Sequence, residues 1–229
     1  MTILARMRAR LHRLLIEYAP TYVVDVSRNQ RPEDIDWHAL YRDGIRAAYI
    51  RTSAGSLTVD DAAGAHADGA REAGMLIGYY HAASPDEHRD DAKREALAFR
   101  RRTRELPRAD LMPMLDLEVG KDELSDESIR SWAISFGARI QSRLGIYGPK
   151  RYLDSVDLSP FDAVWLAHWT VGGPKRPLYG PGYVHQAPRP NMPLRELALW
   201  QWTSSGAVSG YSGRVDLSLA PRGLRRLLL

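Results

Sequence analysis

Two acidic side chains end a short apolar run near the middle of the chain. Residues 111–118 read Leu-Met-Pro-Met-Leu-Asp-Leu-Glu, so Asp116 and Glu118 close a predicted buried strand. Side chains two apart in a strand point to the same face, which places both carboxyl groups on one side. Two like charges held close together split their pKa values, so that one group ionises while the other keeps its proton near neutral pH. The pair is suited to general acid and base catalysis; the alternative is a solvated strand end, or a pairing with arginine.

The elements that must position these acids alternate between short apolar strands and helical stretches. Eight strands are predicted, and helices follow only the first five of them. The predicted strands are 22–25, 47–52, 76–81, 112–118, 146–147, 163–169, 198–203 and 215–219, and the predicted helices are 35–42, 60–73, 87–106, 126–144 and 150–154. This alternation predicts a parallel sheet with crossover helices. We therefore expect residues 21–229 to form an irregular (β/α)5(β)3 TIM-like barrel, which belongs to the α/β class.

Further acids and aromatic side chains fall at the ends of other predicted strands. Asp25 ends the first strand, and Asp216 lies in the last, which would close the barrel beside the first. In α/β barrels the chemistry gathers at the carboxyl ends of the strands. Carboxylates surrounded by aromatic rings suit a carbohydrate, whose C–H faces stack on rings. The aromatic candidates for substrate binding are Tyr80, Tyr147, Trp165, Trp169 and Trp200.

A series of short motifs lies along the chain in this order: Val24-Asp25-Val26-Ser27-Arg28-Asn29-Gln30, Ile35-Asp36-Trp37, Tyr49-Ile50-Arg51-Thr52, Gly78-Tyr79-Tyr80-His81, Leu115-Asp116-Leu117-Glu118, Trp165-Leu166-Ala167, Trp200-Gln201-Trp202 and Gly213-Arg214-Val215-Asp216. Taken together, these motifs resemble the family 25 glycoside hydrolases, which are lysozymes of the Chalaropsis type found among bacteriophage endolysins and bacterial autolysins. The resemblance covers about residues 21–220 and departs from the family at Trp169, where the family often has tyrosine.

The resemblance implies a muramidase that hydrolyses the β-1,4 bond between N-acetylmuramic acid and N-acetylglucosamine in peptidoglycan. By position, Glu118 corresponds to the general acid/base and Asp116 to the carboxylate that steadies the charged intermediate. Asp25 and Asp216 correspond to two flanking acids that orient the site. A non-catalytic wall-binding or virion structural protein on the same barrel is the alternative function, and a hydrolase of another N-acetylated glycan such as chitin is the third.

Composition narrows the possible partners. The chain has 229 residues, 44% of them hydrophobic, which is ample for one large core, and it has no cysteine. The net charge of +4 comes from the ends, since residues 1–20 and 221–229 each carry +3 and the centre carries −2. We therefore expect no nucleic-acid partner. The histidine and acid spacings fit no common metal motif, so we expect neither a metal nor a cofactor.

The first twenty residues form a segment of their own. Apolar residues recur at helical spacing in residues 4–18, with arginines between them and Pro20 at the end. This predicts a basic amphipathic helix over residues 1–20 that packs on its own domain; docking to a partner or self-association is the alternative. The arginines leave no continuous apolar run for a signal peptide, and no stretch is long enough for a transmembrane segment. We therefore expect synthesis in the cytoplasm and action on the cell wall, as for phage endolysins.

Overall fold

The computed structural model describes Leu14 and residues 16–118, 124–154, 157–169 and 197–229. Nine strands lie in these ranges: β1 Thr21–Val26, β2 Ile45–Ala54, β3 Thr58–Val59, β4 Leu76–Ala82, β5 Met114–Asp116, β6 Gly145–Pro149, β7 Ala163–Ala167, β8 Leu197–Val208 and β9 Tyr211–Ala220. The helices are α1 Trp37–Arg42, α2 Ala63–Glu72, α3 Asp91–Arg104, α4 Asp126–Ile140 and α5 Lys150–Leu153, with 3-10 turns at Pro32–Asp34 and Arg225–Leu227.

Eight of the strands close into a barrel. The order around it is β1-β9-β8-β7-β6-β5-β4-β2, and β1 pairs with β2 to complete the ring, while the two-residue β3 extends from β2. Neighbouring strands are parallel in the pairs β1–β2, β2–β4, β4–β5, β5–β6, β6–β7 and β7–β8. β9 is antiparallel to both of its neighbours because the tight turn after Val208 returns the chain directly. The predicted barrel with helices after its first five strands is confirmed.

Alternation along each strand separates two apolar layers. Met114 and Trp165 belong to a cluster inside the barrel, whereas Leu115 and Leu166 pack in a larger cluster under the helices. The interior is tightly filled: a Cβ atom on Gly78 would come within 2.4 Å of the Tyr49 ring. Because the interior is packed with side chains along its length, a cleft can open only at an end of the barrel.

The strand that carries the acidic pair is shorter than predicted. β5 spans Met114–Asp116 rather than 112–118. At its start the Met112 N–H donates to Leu227 O at 2.7 Å, so the C-terminal segment takes the place of a neighbouring strand there. At its other end, the Leu117 N–H still donates to Tyr147 O at 2.9 Å, which holds the loop that presents Glu118.

The N-terminal segment meets the C-terminal segment at the end of the barrel opposite the acids. The Leu224 N–H donates to Ile16 O at 2.9 Å, and the Arg225 guanidinium lies 5.0 Å from the centre of the Tyr18 ring. Residues 1–13 lie outside the described residues, so the amphipathic helix stays a prediction there. Among the helices that are described, none has the length and hydropathy needed to cross a membrane.

Candidate active site

All four predicted acids line one polar cleft of about 220 Å³ at the end of the barrel where β1 and β5 finish. Asp25 and Asp216 are register partners on β1 and β9, and Asp116 is the last residue of β5. Glu118 follows it two residues later, on the same side. Larger grooves of about 490 and 690 Å³ lie around Arg108 and Leu229 at the other end of the barrel, away from this group of acids.

The acidic pair is held in surroundings that favour its protonated forms. Burial raises the pKa of Glu118, while the Tyr147 hydroxyl, 3.2 Å from Glu118 Oε1, and the charge of Arg151 lower it. Burial, and then the Glu118 charge, raise the pKa of Asp116 well above its ordinary value, and the charge of Arg51 opposes this. The pair therefore retains a proton at pH values where isolated carboxyl groups have lost theirs.

One oxygen of the pair has no hydrogen-bond partner. Among the described residues, Asp116 Oδ1 is buried and accepts no hydrogen bond. A buried acceptor without a donor is costly, so such an atom in a cleft is suited to a donor on a ligand. The acidic pair can thus supply both a proton and an acceptor to a bound substrate.

The flanking acids form a second pair deeper in the barrel. Burial raises the pKa of Asp216 to about 6, a hydrogen bond with Asp25 lowers it, and the Glu118 charge raises it. Burial, followed by the charge of Asp216, raises the pKa of Asp25 well above its ordinary value, while a hydrogen bond from Gln201 lowers it. Both shifts favour a state in which the two groups share a proton and do not both carry charge.

Gln201 is a site residue that sequence reasoning did not select. It lies on β8 and is 1% exposed, with its Nε2 donating to Asp25 Oδ2 at 3.0 Å. Its Oε1 accepts from the Tyr147 hydroxyl at 2.8 Å and from Trp169 Nε1 at 2.6 Å. Strand alternation could have revealed it, because a polar residue between two apolar tryptophans points to the opposite face.

The predicted aromatic residues divide into three groups. Tyr80, Tyr147 and Trp165 line the cleft with the acids. Trp169, 54% exposed, borders an adjoining cavity of about 550 Å³ that also reaches Glu118. The structure does not bring Trp200 to either cavity: it is 4% exposed, donates to His168 O at 3.0 Å and packs in the cluster under the helices. The expectation for Trp200 is corrected because alternation points its neighbours, and not Trp200, into the barrel.

Two other polar residues near the strand ends have structural partners. Arg51 Nε donates to Asp60 Oδ2 at 2.9 Å, so its ion pair lies outside the acid cluster even though Arg51 lines the cleft. His81 is fully buried between Ser53, 2.9 Å from Nδ1, and Glu95, 2.8 Å from Nε2. This Ser-His-Glu chain resembles a nucleophilic triad in composition, but all three residues are buried, so no substrate reaches it.

The cleft acids lack the arrangement of a metal site. No group of three or more histidine, aspartate or glutamate side chains in the described ranges is arranged to hold a metal ion. The cleft acids are paired with each other and with amide and hydroxyl donors. This arrangement suits proton transfer on an uncharged, hydroxyl-rich substrate.

The family model of glycosyl hydrolases family 25 matches residues 24–211, a range that includes Asp25, Asp116 and Glu118 but not Asp216. The chain is also similar to lysozyme M1 of Streptomyces globisporus, with 28% identity over 90% of this chain and 69% of that protein.

Solved structures share the fold. A bacterial lysozyme from Streptomyces coelicolor has a TM-score of 0.68 and 24% identity, covering 90% of this chain and 94% of that one. The catalytic domain of endolysin ply40, from bacteriophage P40 of Listeria monocytogenes, has a TM-score of 0.66 and 22% identity, covering 86% and 91%. At these identities the two structures support the irregular barrel rather than any individual residue role.

Proposed function

The chain belongs to the glycosyl hydrolases of family 25 and is a muramidase of the lysozyme type, and we propose that Glu118 and Asp116 carry its reaction. The bond hydrolysed is the β-1,4 linkage between N-acetylmuramic acid and N-acetylglucosamine in peptidoglycan. The observation that carries the residue assignment is the convergence of four carboxyl groups, with raised pKa values, in one cleft edged by aromatic rings.

Glu118 is the proposed general acid and base. Its raised pKa keeps a proton available at pH values where an ordinary glutamate has lost it, and Glu118 lies at the junction of the acid cleft and the cavity bordered by Trp169. That position suits a glycosidic oxygen between two sugars bound on either side. Glu118 would protonate this oxygen as the bond to C1 breaks and would later take a proton from the attacking water.

Asp116 is proposed to act on the substrate's own acetamido group. Its unpartnered Oδ1 would accept the acetamido N–H, which aligns the acetamido carbonyl oxygen for attack on C1 to form an oxazolinium ion. The same hydrogen bond favours the ionised form of Asp116 and therefore moves the shared proton to Glu118, where it is needed. Direct attack by Asp116 on C1 is the competing route; tight binding of a thiazoline analogue of the oxazolinium ion would favour the acetamido route.

The second acid pair and the aromatic residues have supporting roles in this proposal. Asp25 and Asp216 are hydrogen-bonded to each other, and the charge of Asp216 would help to raise the pKa of Asp116. Tyr80 and Trp165 line the cleft, and the exposed ring of Trp169 offers a stacking face for a sugar in the adjoining cavity.

The enzyme acts on the bacterial cell wall, and we propose the finer role of a phage endolysin or a comparable lytic enzyme. Similarity to the catalytic domain of a phage endolysin supports this role. Synthesis in the cytoplasm, followed by release to the wall through a separate membrane-permeabilising protein, would then be required. Fractionation of producing cells before and after permeabilisation tests this, because an exported enzyme would be found outside the membrane in both samples.

Digestion of purified peptidoglycan beside chitin oligomers tests the substrate assignment. Released fragments are reduced with borohydride and identified by mass spectrometry, so that each new reducing end is labelled. Muramitol ends from peptidoglycan, with chitin left intact, are expected. Glucosaminitol ends would indicate the other glycosidic bond, and cleavage of chitin would indicate a broader N-acetylglycan hydrolase. Sedimentation with walls but no release would support the non-catalytic wall-binding alternative.

A further inference from the structure

The three hydrogen bonds of Gln201 fix which way its amide faces. Its Oε1 meets two donors, the Tyr147 hydroxyl and the Trp169 indole N–H, and its Nε2 faces the Asp25 carboxyl. Reversing the amide would set an NH2 group against two donors and an oxygen against a carboxyl oxygen. The orientation is therefore determined by the surroundings, and Gln201 connects β1, β6 and the segment after β7 at the base of the cleft.

The Tyr147 hydroxyl has one hydrogen and two acceptors within reach. Gln201 Oε1 lies 2.8 Å away and Glu118 Oε1 lies 3.2 Å away. When Glu118 is ionised, the hydroxyl can turn its hydrogen to that carboxylate. When Glu118 is protonated, its own O–H can donate to the Tyr147 oxygen, and the phenol hydrogen then points to Gln201. The two acceptors compete for a single hydrogen.

Trp169 extends this series of hydrogen bonds from the solvent side. Its indole N–H is tied to Gln201 at 2.6 Å, while more than half of its surface is exposed above the cavity that also reaches Glu118. An indole held by its edge presents its face in a fixed direction, which is what stacking on a sugar ring requires. The stacking face and the carboxyl group of Glu118 are thus separated by two side chains and three hydrogen bonds.

We propose that Gln201 is a positioning residue that holds Trp169 and Tyr147 in one hydrogen-bonded relay with Glu118, so that the glycan platform and the acid/base group are set together. The inference rests on the proposed role of Glu118, and it adds a residue that makes no contact with the reacting bond. Through the relay, Gln201 withdraws the Tyr147 hydrogen from Glu118 and so favours the protonated carboxyl that the first step of the reaction needs.

Opposite shifts from two substitutions test the relay. Gln201→Met preserves the length of the side chain but removes the competing acceptor, which frees Tyr147 to donate to Glu118. The pKa of Glu118 should therefore fall by about one unit, the size expected for one hydrogen bond. Tyr147→Phe removes the donor altogether and should raise the same pKa. In the double variant, Gln201→Met should have almost no effect, because no hydroxyl is left to redirect.

The pKa of Glu118 is best read without substrate, from the pH dependence of its carboxyl carbon resonance by NMR, assigned with Glu118→Gln. This measurement tests the relay independently of the muramidase activity. The pKa of Glu118 can be followed in the full-length protein even if that protein releases no sugar. Ser218→Ala is a matched control, because Ser218 is the register partner of Gln201 but bonds to Trp165, outside the relay. It should leave the pKa of Glu118 unchanged.

Kinetics give a second readout that a purely structural role would not produce. Gln201→Met should move the basic limb of the kcat/KM profile to lower pH and raise KM several-fold through the untethered Trp169. If Gln201→Met does not fold, Gln201→Leu replaces it; leucine also removes the competing acceptor without adding a charge, so the pKa of Glu118 should again fall. An unchanged pKa in a folded Gln201 variant, or equal shifts in the single and double variants, would overturn the relay.

Discussion

Replacing Asp216 by asparagine should stabilise the protein at neutral and alkaline pH. The pKa of Asp216 is raised from 3.8 to about 6, and a shift of about two units corresponds to about 3 kcal/mol. Because the folded state binds this proton more tightly than the unfolded state, the free energy of unfolding falls as pH rises from about 3.8 to about 6. Asp216→Asn removes that cost and leaves an amide oxygen that can accept a hydrogen bond from the protonated Asp25 carboxyl. Since the two acids share one proton, we expect a gain of about 1–3 kcal/mol above pH 7.

Urea unfolding at several pH values measures this gain. The difference between Asp216→Asn and wild type should be largest near pH 8, should be small at pH 4, and should vanish well below pH 3.8, where the carboxyl group is protonated in both the folded and the unfolded state. Asp61→Asn is a suitable control because Asp61 is exposed at the surface and should show little change at either pH. A variant that is destabilised at pH 8, or equally stabilised at pH 4 and pH 8, would refute the inference that burial and like charge raise the pKa of Asp216 and so lower the stability of the folded state.

Three further outcomes follow from the same geometry. The rate on purified peptidoglycan should fall as pH rises from mildly acidic toward pH 9, because Glu118 must hold its proton; a flat profile of rate against pH would contradict this. Trp169→Ala should raise KM roughly 3–10-fold with little change in kcat, the size of one aromatic stacking contact. Trp169→Phe should restore only part of the loss, because it keeps a ring but has no N–H to donate to Gln201, and an unchanged KM in Trp169→Ala would exclude stacking. Gly78→Ala should destabilise the fold by about 1–3 kcal/mol, because its Cβ would lie 2.4 Å from the Tyr49 ring. Gly64→Ala should cause little destabilisation, because the atom nearest to its added Cβ would be 3.8 Å away. Denaturation curves compare the two variants.

Much of the barrel could be predicted because its strands are short apolar runs separated by helical stretches. The boundaries that failed have local causes. The predicted fourth strand began too early, since Met112 bonds to Leu227 and not to a neighbouring strand, a contact between residues far apart in the chain. The predicted helix over 126–144 ends at Ile140, because Gln141 adopts the left-handed conformation with φ 58° and ends the helix without a glycine.

The site residues that end strands could be predicted from the sequence. Residues whose roles depend on hydrogen-bond partners far away in the chain could not. Asp25, Asp116, Glu118 and Asp216 meet in one cleft, as their strand positions indicated. Gln201 was not selected because the sequence does not show which buried polar groups its amide would join. The expectation that Trp200 binds substrate fails because alternation along β8 turns its ring under the helices, which its aromatic character alone does not reveal.

The most direct test of the account compares wild type, Glu118→Gln and Glu127→Gln on purified peptidoglycan, with fragments identified by mass spectrometry. Glu127 is exposed in the first turn of α4, so its variant controls for loss of an acidic charge. Wild type and Glu127→Gln should release fragments with new N-acetylmuramic acid reducing ends. Glu118→Gln should be slower by about 100-fold or more, with an unchanged circular dichroism spectrum and undiminished sedimentation with the wall. Turnover by Glu118→Gln close to that of wild type would contradict the assignment of Glu118 as the acid that protonates the glycosidic oxygen.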